Sequence, residues 1–188
     1  MNSKNYIANA FLSCSLRDSD KRFNTLVANI LHYYQFYPFG TVGLYSAATE
    51  NPTTTMKKMI DQADIVVIAA TKRYLTEDFS NGKKSNSLSE MVHTEAGMAF
   101  AKSKPIVVFV EEGTNVGSFL PSISQYITLD GTQANLDSQQ RLIMSLLNDA
   151  YQKSLENKRK KAWSELGNFA LGTLAVLGGI QLLEQNEE

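Results

Sequence analysis

The stretch SLSEMVHTEAGMAFAKSKPIVVFV, residues 87–110, decides the fold of this chain. Residues 87–102 predict a helix. Residues 105–110 predict a buried strand, because an unbroken run of β-branched and aromatic residues is typical of a strand covered on both faces. One acid, Glu95, lies among the small residues Ala96, Gly97 and Ala99, which we expect to leave space beside its carboxylate. An acid with space beside it, on a helix between parallel strands, is a candidate for chemistry at a sugar.

Apolar runs alternate with amphipathic segments along the rest of the chain. We expect strands at residues 8–13, 42–47, 64–70, 105–110 and 126–129, and helices at 18–34, 56–63, 87–102 and from 137 onward. This alternation predicts a parallel sheet of about five strands flanked by helices. Pro38 and Gly40 are predicted to interrupt the chain. The polar residues 71–87, which contain Gly-Lys-Lys, are predicted to form a long loop.

Composition narrows the class of protein. The 188 residues, 43% of them hydrophobic, suffice for one domain with its own core, and the net charge of −1 gives no sign of a nucleic-acid-binding surface. A single cysteine, Cys14, excludes a disulfide within the chain, and the N-terminal residues lack the apolar run of a signal peptide; both favour the cytoplasm. His32 and His93 have no partners at metal-ligand spacing, so no metal site is predicted.

Three segments resemble TIR-type domains of the bacterial class that consumes NAD. They are FLSCSLRD at residues 11–18, MKKMIDQADIVVIAATKRYL at 56–75 and EMVHTEAGMAFAKSKPIVVFV at 90–110. The resemblance implies a flavodoxin-like fold over residues 1–156. It also implies hydrolysis or cyclisation of NAD with release of nicotinamide, and no cofactor, because NAD is the substrate. Bacterial members of this type act in defence against phage and become active on assembly. A homo-oligomer and a downstream effector that senses the product are therefore the implied partners.

The same resemblance assigns the site residues. Glu95 falls on the catalytic glutamate of the family. The implied binding residues are Ser13, Cys14, Ser15 and Arg17, on the loop that cradles the nucleotide, and Tyr45 and Ser46, near a mobile loop. Either Tyr45 or Tyr74 is expected to stack on the leaving ring. Two interpretations of Arg17 stay open: it binds a pyrophosphate, or it pairs with Asp18 or Asp20.

The chemistry of the leaving group explains why one acid suffices for NAD. Cleavage of an N-glycosidic bond builds positive charge on the sugar, and a glutamate that stabilises this charge lowers the barrier. The nicotinamide of NAD is already cationic and departs neutral, so it needs no acid. The base of a nucleoside usually needs a proton.

Two alternatives remain. The run EAGMAFAKSKP, residues 95–105, also resembles the E-x-G-x-A-x-A-x-x-K-P run of nucleoside 2-deoxyribosyltransferases, in which the glutamate is a nucleophile. Those enzymes carry an Asp and a Gly shortly before the glutamate, whereas residues 90–94 of this chain read EMVHT and contain neither. Glu90 is the acid that could replace this Asp, but it lies about 140° round the helix from Glu95, so we expect it to face solvent. The second alternative is a non-catalytic adaptor domain.

The C-terminal residues 157–188 form a separate segment. A basic run at residues 157–161 precedes residues 166–183, which carry no charge. This apolar helix is close to the ~20 residues that span a bilayer. It is predicted either to anchor the chain to the inner face of the membrane or to pack on the domain or on another copy.

Overall fold

The computed structural model describes residues 5–40 and 51–184, and only the backbone of Pro52 and of residues 165–184. The strands are β1 (Ala8–Ser13), β2 (Phe36–Phe39), β3 (Ile65–Ala70), β4 (Tyr74–Glu77), β5 (Lys84–Ser87), β6 (Ile106–Glu111), β7 (Thr114–Asn115) and β8 (Tyr126–Leu129). The helices are α1 (Lys21–Tyr33), α2 (Pro52–Gln62), α3 (Glu90–Ala101), α4 (Phe119–Ile123) and α5 (Gln133–Glu184), and a 3-10 turn, Asp18–Asp20, precedes α1.

The main sheet has five parallel strands in the order β2-β1-β3-β6-β8. This is the flavodoxin-like order, and the predicted fold class is confirmed. The chain leaves β1 towards one edge of the sheet and later returns on its other side with β3. The boundary between β1 and β3 is therefore the point where the strand order reverses, and ligands in such sheets bind at this point, beyond the carboxyl ends of the strands.

Alternation along each strand divides the core into two layers. In β1, Ala10 and Leu12 face the layer formed with α1 and α5, whereas Phe11 faces the layer formed with α2, α3 and α4. β3 is buried at all six positions, because helices cover both of its faces. The sheet thus separates two apolar clusters. Alternate residues of a strand face opposite clusters, so the position of a residue along its strand decides which helices it contacts.

The strand next to β1, β2 (Phe36–Phe39), was not predicted; it pairs with β1 and places Pro38 opposite Ala10. The predicted strand at residues 42–47 lies outside the described residues and stays a prediction. Proline has no N–H for a ladder, so it is tolerated here because β2 lies at the edge of the sheet. Gly40 then takes a φ of +80°, and a Cβ there would lie 2.6 Å from Cδ2 of Phe11.

The predicted loop at residues 71–87 contains a hairpin. β4 pairs antiparallel with β5, and β5 pairs parallel with β7, which gives a second sheet in the order β4-β5-β7. The hydroxyl of Thr76 lies 3.1 Å from the carbonyl oxygen and 3.1 Å from Oγ of Ser85 across the hairpin. Backbone hydrogen bonds and polar side-chain contacts pair these strands, and β5 carries no apolar residue, so hydrophobic periodicity gave no signal for the hairpin.

Capping residues set where α2 begins. The helix starts at Pro52, four residues before the predicted position, because the side chain of Asn51 accepts a hydrogen bond from the N–H of Thr53 at 2.9 Å. Asparagine at the N-cap followed by proline in the first turn is a favoured start of a helix.

The chain divides into two compact units, Met1–Tyr151 and Gln152–Glu188. Within the second unit, α5 continues as helical backbone to Glu184. Among the described residues, no helix is both long and apolar enough to cross a membrane. The membrane-anchor alternative for residues 166–183 stays a prediction.

Candidate functional site

Glu95 lies in the apolar stripe of α3. The helix begins at Ser89, whose hydroxyl accepts a hydrogen bond from the N–H of Met91 at 3.1 Å. Its buried residues are Val92, Glu95, Ala96 and Ala99. These positions follow the i, i+3, i+4, i+7 spacing of one helical face, so the period of the helix turns Glu95 towards the sheet. Only 5% of its surface is exposed.

Ser13 is the last residue of β1 and faces the same layer as Glu95. It follows Phe11 by two residues, so the alternation of the strand directs both side chains towards the α3 side of the sheet. The Ser13 hydroxyl donates a hydrogen bond to Oε2 of Glu95, and both residues are buried. The structure therefore brings together two predicted site residues that are 82 positions apart in the chain.

The contact lies where this topology binds ligands. β3 and β6 are parallel, so α3, which connects them, runs back along the sheet with its first turns near the carboxyl ends of the strands. Ser13 ends β1 at the switch point between β1 and β3, and the buried Thr71 immediately follows β3. Glu95 thus meets Ser13 beyond the carboxyl end of β1, at the point where the strand order reverses.

Burial changes the acidity of Glu95. Loss of solvent around the carboxylate raises the pKa of Glu95 from 4.5 to about 7, while the hydrogen bond from Ser13 acts in the opposite direction. No basic side chain among the described residues contributes to this shift in the pKa of Glu95. Near neutral pH the side chain is therefore divided between its acid and its carboxylate.

The small residues near Glu95 have different roles from those expected. Ala96 and Ala99 are fully buried and belong to the apolar cluster between α3 and the sheet, so they bring the helix close to the strands and do not leave space. At Gly97, in contrast, a Cβ would meet nothing within 4 Å among the described atoms. Of these three small residues, only Gly97 therefore has open space at its Cβ position among the described atoms.

Arg17 forms an ion pair, one of the two alternatives for this residue. Its Nε lies 2.9 Å from Oδ2 of Asp20, its Nη2 lies 3.2 Å from Oδ1, and Nη2 also donates to the carbonyl of Lys72. Desolvation raises the pKa of the buried Asp20 carboxyl, but hydrogen bonds from Ser15, Arg17 and Ser19 and the Arg17 charge outweigh it and hold the pKa below its ordinary value. Arg17 therefore ties the β1–α1 loop to the residue that begins the hairpin connection.

The other predicted binding residues are spread more widely. Ser15 accepts a hydrogen bond from Nδ2 of Asn24 at its carbonyl, with a distance of 2.6 Å, and Cys14 is half-buried against the α1 cluster. Tyr74 lies on β4, half-exposed, with the Arg73 guanidinium 5.7 Å from its ring centroid. Tyr45 and Ser46 lie outside the described residues.

Two groups that hold the loop were not predicted. The Asn24 amide and the Lys72 carbonyl anchor residues 15 and 17, and no motif marks either of them. Asp20 had a local signal, because a spacing of three residues from Arg17 places opposite charges within reach. Glu90 is exposed, as its position on the helix predicted.

The fold and the site define an α/β protein of flavodoxin-like topology with a buried acid at the switch point of its sheet. The chain belongs to the family described as a domain of unknown function, DUF4062, whose model matches residues 9–164. The prediction of a TIR-type domain is therefore wrong. NAD consumption and phage defence were implied only by that resemblance and are withdrawn with it.

Two solved structures are similar to this chain at low sequence identity. A CMP N-glycosidase from Clostridium botulinum is 16% identical with a TM-score of 0.47, over 71% of this chain and 98% of that one. A conserved protein from Enterococcus faecalis V583 is 14% identical with a TM-score of 0.45, over 76% of this chain and 98% of that one. No curated protein matches this chain.

Proposed function

We propose that this protein cleaves the N-glycosidic bond of a nucleoside or nucleotide, with Glu95 as the group that acts at C1′ of the sugar. The observation that carries the proposal is the burial of Glu95 at the carboxyl edge of the sheet, where its pKa rises to about 7. Burying a carboxylate away from solvent destabilises the fold. A strongly perturbed acid at a sheet edge that binds ligands is typical of a functional group.

The hydrogen bond from Ser13 uses one carboxylate oxygen of Glu95, and we expect the other oxygen to contact the substrate. The Ser13 hydroxyl donates to Oε2, which orients the carboxylate and leaves Oε1 for the substrate. As the bond between C1′ and the base nitrogen breaks, positive charge develops on the sugar. A carboxylate in a site with little water stabilises that charge more strongly than one in solvent.

The reaction that follows is a covalent displacement. Glu95 attacks C1′, and the bonding electrons leave with the base nitrogen, which takes a proton from water. Water or a second base then displaces Glu95 from C1′ and restores the carboxylate. The run EAGMAFAKSKP supports this assignment, since it resembles the run in which nucleoside 2-deoxyribosyltransferases carry their nucleophile.

The available acids favour an N-glycoside over an oligosaccharide. Hydrolysis of an O-glycoside ordinarily uses two carboxyl groups on either side of the bond. The other acid of α3, Glu90, is exposed, so this helix supplies one carboxyl group to the site. We expect bases whose negative charge spreads over ring carbonyls, as in the pyrimidines, because they leave without an enzymic acid.

The test is release of free base from a panel of ribonucleosides, 2′-deoxynucleosides, their 5′-monophosphates and NAD, followed by liquid chromatography. We expect base release by the wild type, a loss of about 10³-fold or more in E95Q, and less than about twofold change in E90Q, the matched exposed acid on the same helix. A second free base added to the reaction distinguishes transfer from hydrolysis.

Two outcomes would reject the proposal. One is base release that E95Q retains at the wild-type rate. The other is Glu95-dependent release of nicotinamide from NAD with no release from any nucleoside or nucleotide.

A further inference from the structure

The outer strand of the small sheet is exposed along its whole length. β4 is the first strand in the order β4-β5-β7, and in the described part of the chain no strand pairs with its other side. All four of its residues are exposed, and Leu75 is 68% exposed. At the tip of the same hairpin, the Phe79 ring is fully exposed. A strand edge with exposed apolar side chains is a template for another strand.

The hairpin ladder shows which backbone groups of β4 point outwards. The N–H of Asp78 donates to the carbonyl of Lys83 at 2.9 Å, across the hairpin. In an antiparallel ladder, successive residues direct their N–H and C=O alternately towards the partner strand and away from it. Leu75 and Glu77 therefore direct their backbone groups towards the open edge. The N–H of Arg73, just before β4, instead donates to the carbonyl of Ser87 at 2.7 Å, so Arg73 can contribute only its side chain to a second strand.

The charges along this edge are complementary to those of a second copy. Arg73 precedes β4 and Glu77 ends it. When two copies pair antiparallel about a two-fold axis at Leu75, the two Leu75 side chains meet and each Arg73 lies opposite a Glu77. Sliding one strand by two residues places Leu75 opposite Glu77, and sliding it by four places Glu77 opposite Glu77. One register therefore satisfies both the apolar and the charged positions.

The side-chain contacts that Arg73 and Glu77 make within the chain are weak, so both side chains can pair with charges on a second copy. Glu77 approaches Lys84 at 3.9 Å, and both side chains are more than half exposed, so this ion pair contributes little. The Arg73 guanidinium rests 5.7 Å from the centroid of the exposed Tyr74 ring. We propose that β4 is the docking surface for a second copy of this chain, which adds its own β4 antiparallel across a two-fold axis.

The size of this surface sets the expected strength of the dimer. A pair of four-residue strands buries less than the ~1,200 Å² of a standard stable interface, so the dimer forms at high protein concentration and dissociates on dilution. Because the end pairs are charged and exposed, high salt weakens the dimer.

Sedimentation velocity of the full chain over a wide concentration range tests the proposal. We expect a reversible monomer–dimer equilibrium for the wild type and a monomer for L75K. R73E and E77R each bring like charges together and are expected to weaken the dimer at least about tenfold. A mixture of R73E with E77R is expected to form the heterodimer, because opposite charges then face each other at both ends. L142K, at an exposed leucine of α5, is the matched control and is expected to behave as the wild type.

The outcomes separate pairing through β4 from any other association. A wild type that stays monomeric at every concentration overturns the proposal, and so does a dimer that L75K leaves intact. Failure of the R73E and E77R mixture to associate overturns the register. The substituted positions are all exposed, so we expect the circular dichroism spectrum of each variant to match that of the wild type.

Discussion

Replacing Glu95 with glutamine is expected to stabilise the fold above neutral pH. The glutamine side chain has nearly the same shape, and its carbonyl oxygen still accepts the hydrogen bond from Ser13. What the substitution removes is the requirement to bury a carboxylate, which is the cause that raises the pKa of Glu95 to about 7. The wild type therefore carries a cost in stability that the variant avoids.

The size and pH range of this cost follow from the pKa in the folded and unfolded chains. Below pH 4.5 both states hold the proton, and ionisation costs nothing. Between pH 4.5 and 7 the unfolded chain releases the proton while the folded chain keeps it, so the stability of the wild type falls as pH rises. At about 1.4 kcal/mol per pH unit, the full cost above pH 7 is about 3 kcal/mol.

Urea unfolding of the wild type and E95Q at several pH values between 4 and 8 measures the difference. We expect E95Q to gain about 3 kcal/mol at the alkaline end and almost nothing near pH 4. E90Q, at an exposed position of the same helix, is expected to stay within about 0.5 kcal/mol of the wild type at every pH. A gain for E95Q that is the same at both ends of the range would refute the link between burial and ionisation. A loss of stability at alkaline pH would refute it equally.

Two further predictions concern the site and the edge of the sheet. The Ser13 hydrogen bond lowers the pKa of Glu95, so S13A is expected to shift the rise of kcat/KM with pH to higher pH in the base-release assay; an unchanged midpoint would contradict this. G40A is expected to lower the free energy of unfolding by about 2–4 kcal/mol, because Gly40 has a φ of +80° and the added Cβ would lie 2.6 Å from Phe11. G97A is expected to raise the free energy of unfolding by up to about 1 kcal/mol, because alanine favours the helix and its Cβ meets no described atom within 4 Å. Similar unfolding midpoints for these two variants would exclude the Phe11 clash.

The correct fold and the wrong family came from the same segments. An apolar strand that ends in small polar residues, as at residues 8–13, and a helix that feeds a buried strand, as at 87–110, are required by any flavodoxin-like sheet. These patterns therefore identified the topology, which the structure confirms. They did not distinguish between families that share it, because function lies in sites that different families place on one fold.

Continuous apolar runs were predicted well and polar or interrupted strands were not. β1, β3, β6 and β8 were found close to their expected residues, because strands covered on both faces or packed against a helix carry a strong hydrophobic signal. β2 was missed because Pro38 normally ends a strand and is tolerated only at an edge. The hairpin of β4 and β5 was missed because cross-strand polar contacts hold it.

The amino-acid sequence by itself determined the alternation of strands and helices, and through the period of α3 it determined that Glu95 faces inwards and Glu90 outwards. Tertiary structure alone decided what Glu95 meets there. The contact with Ser13, the pKa near 7 and the use of Arg17 in an ion pair with Asp20 depend on which strands and loops become neighbours. Desolvation and hydrogen bonding act over a few ångströms in space, and the order of residues fixes those distances only after the sheet has formed.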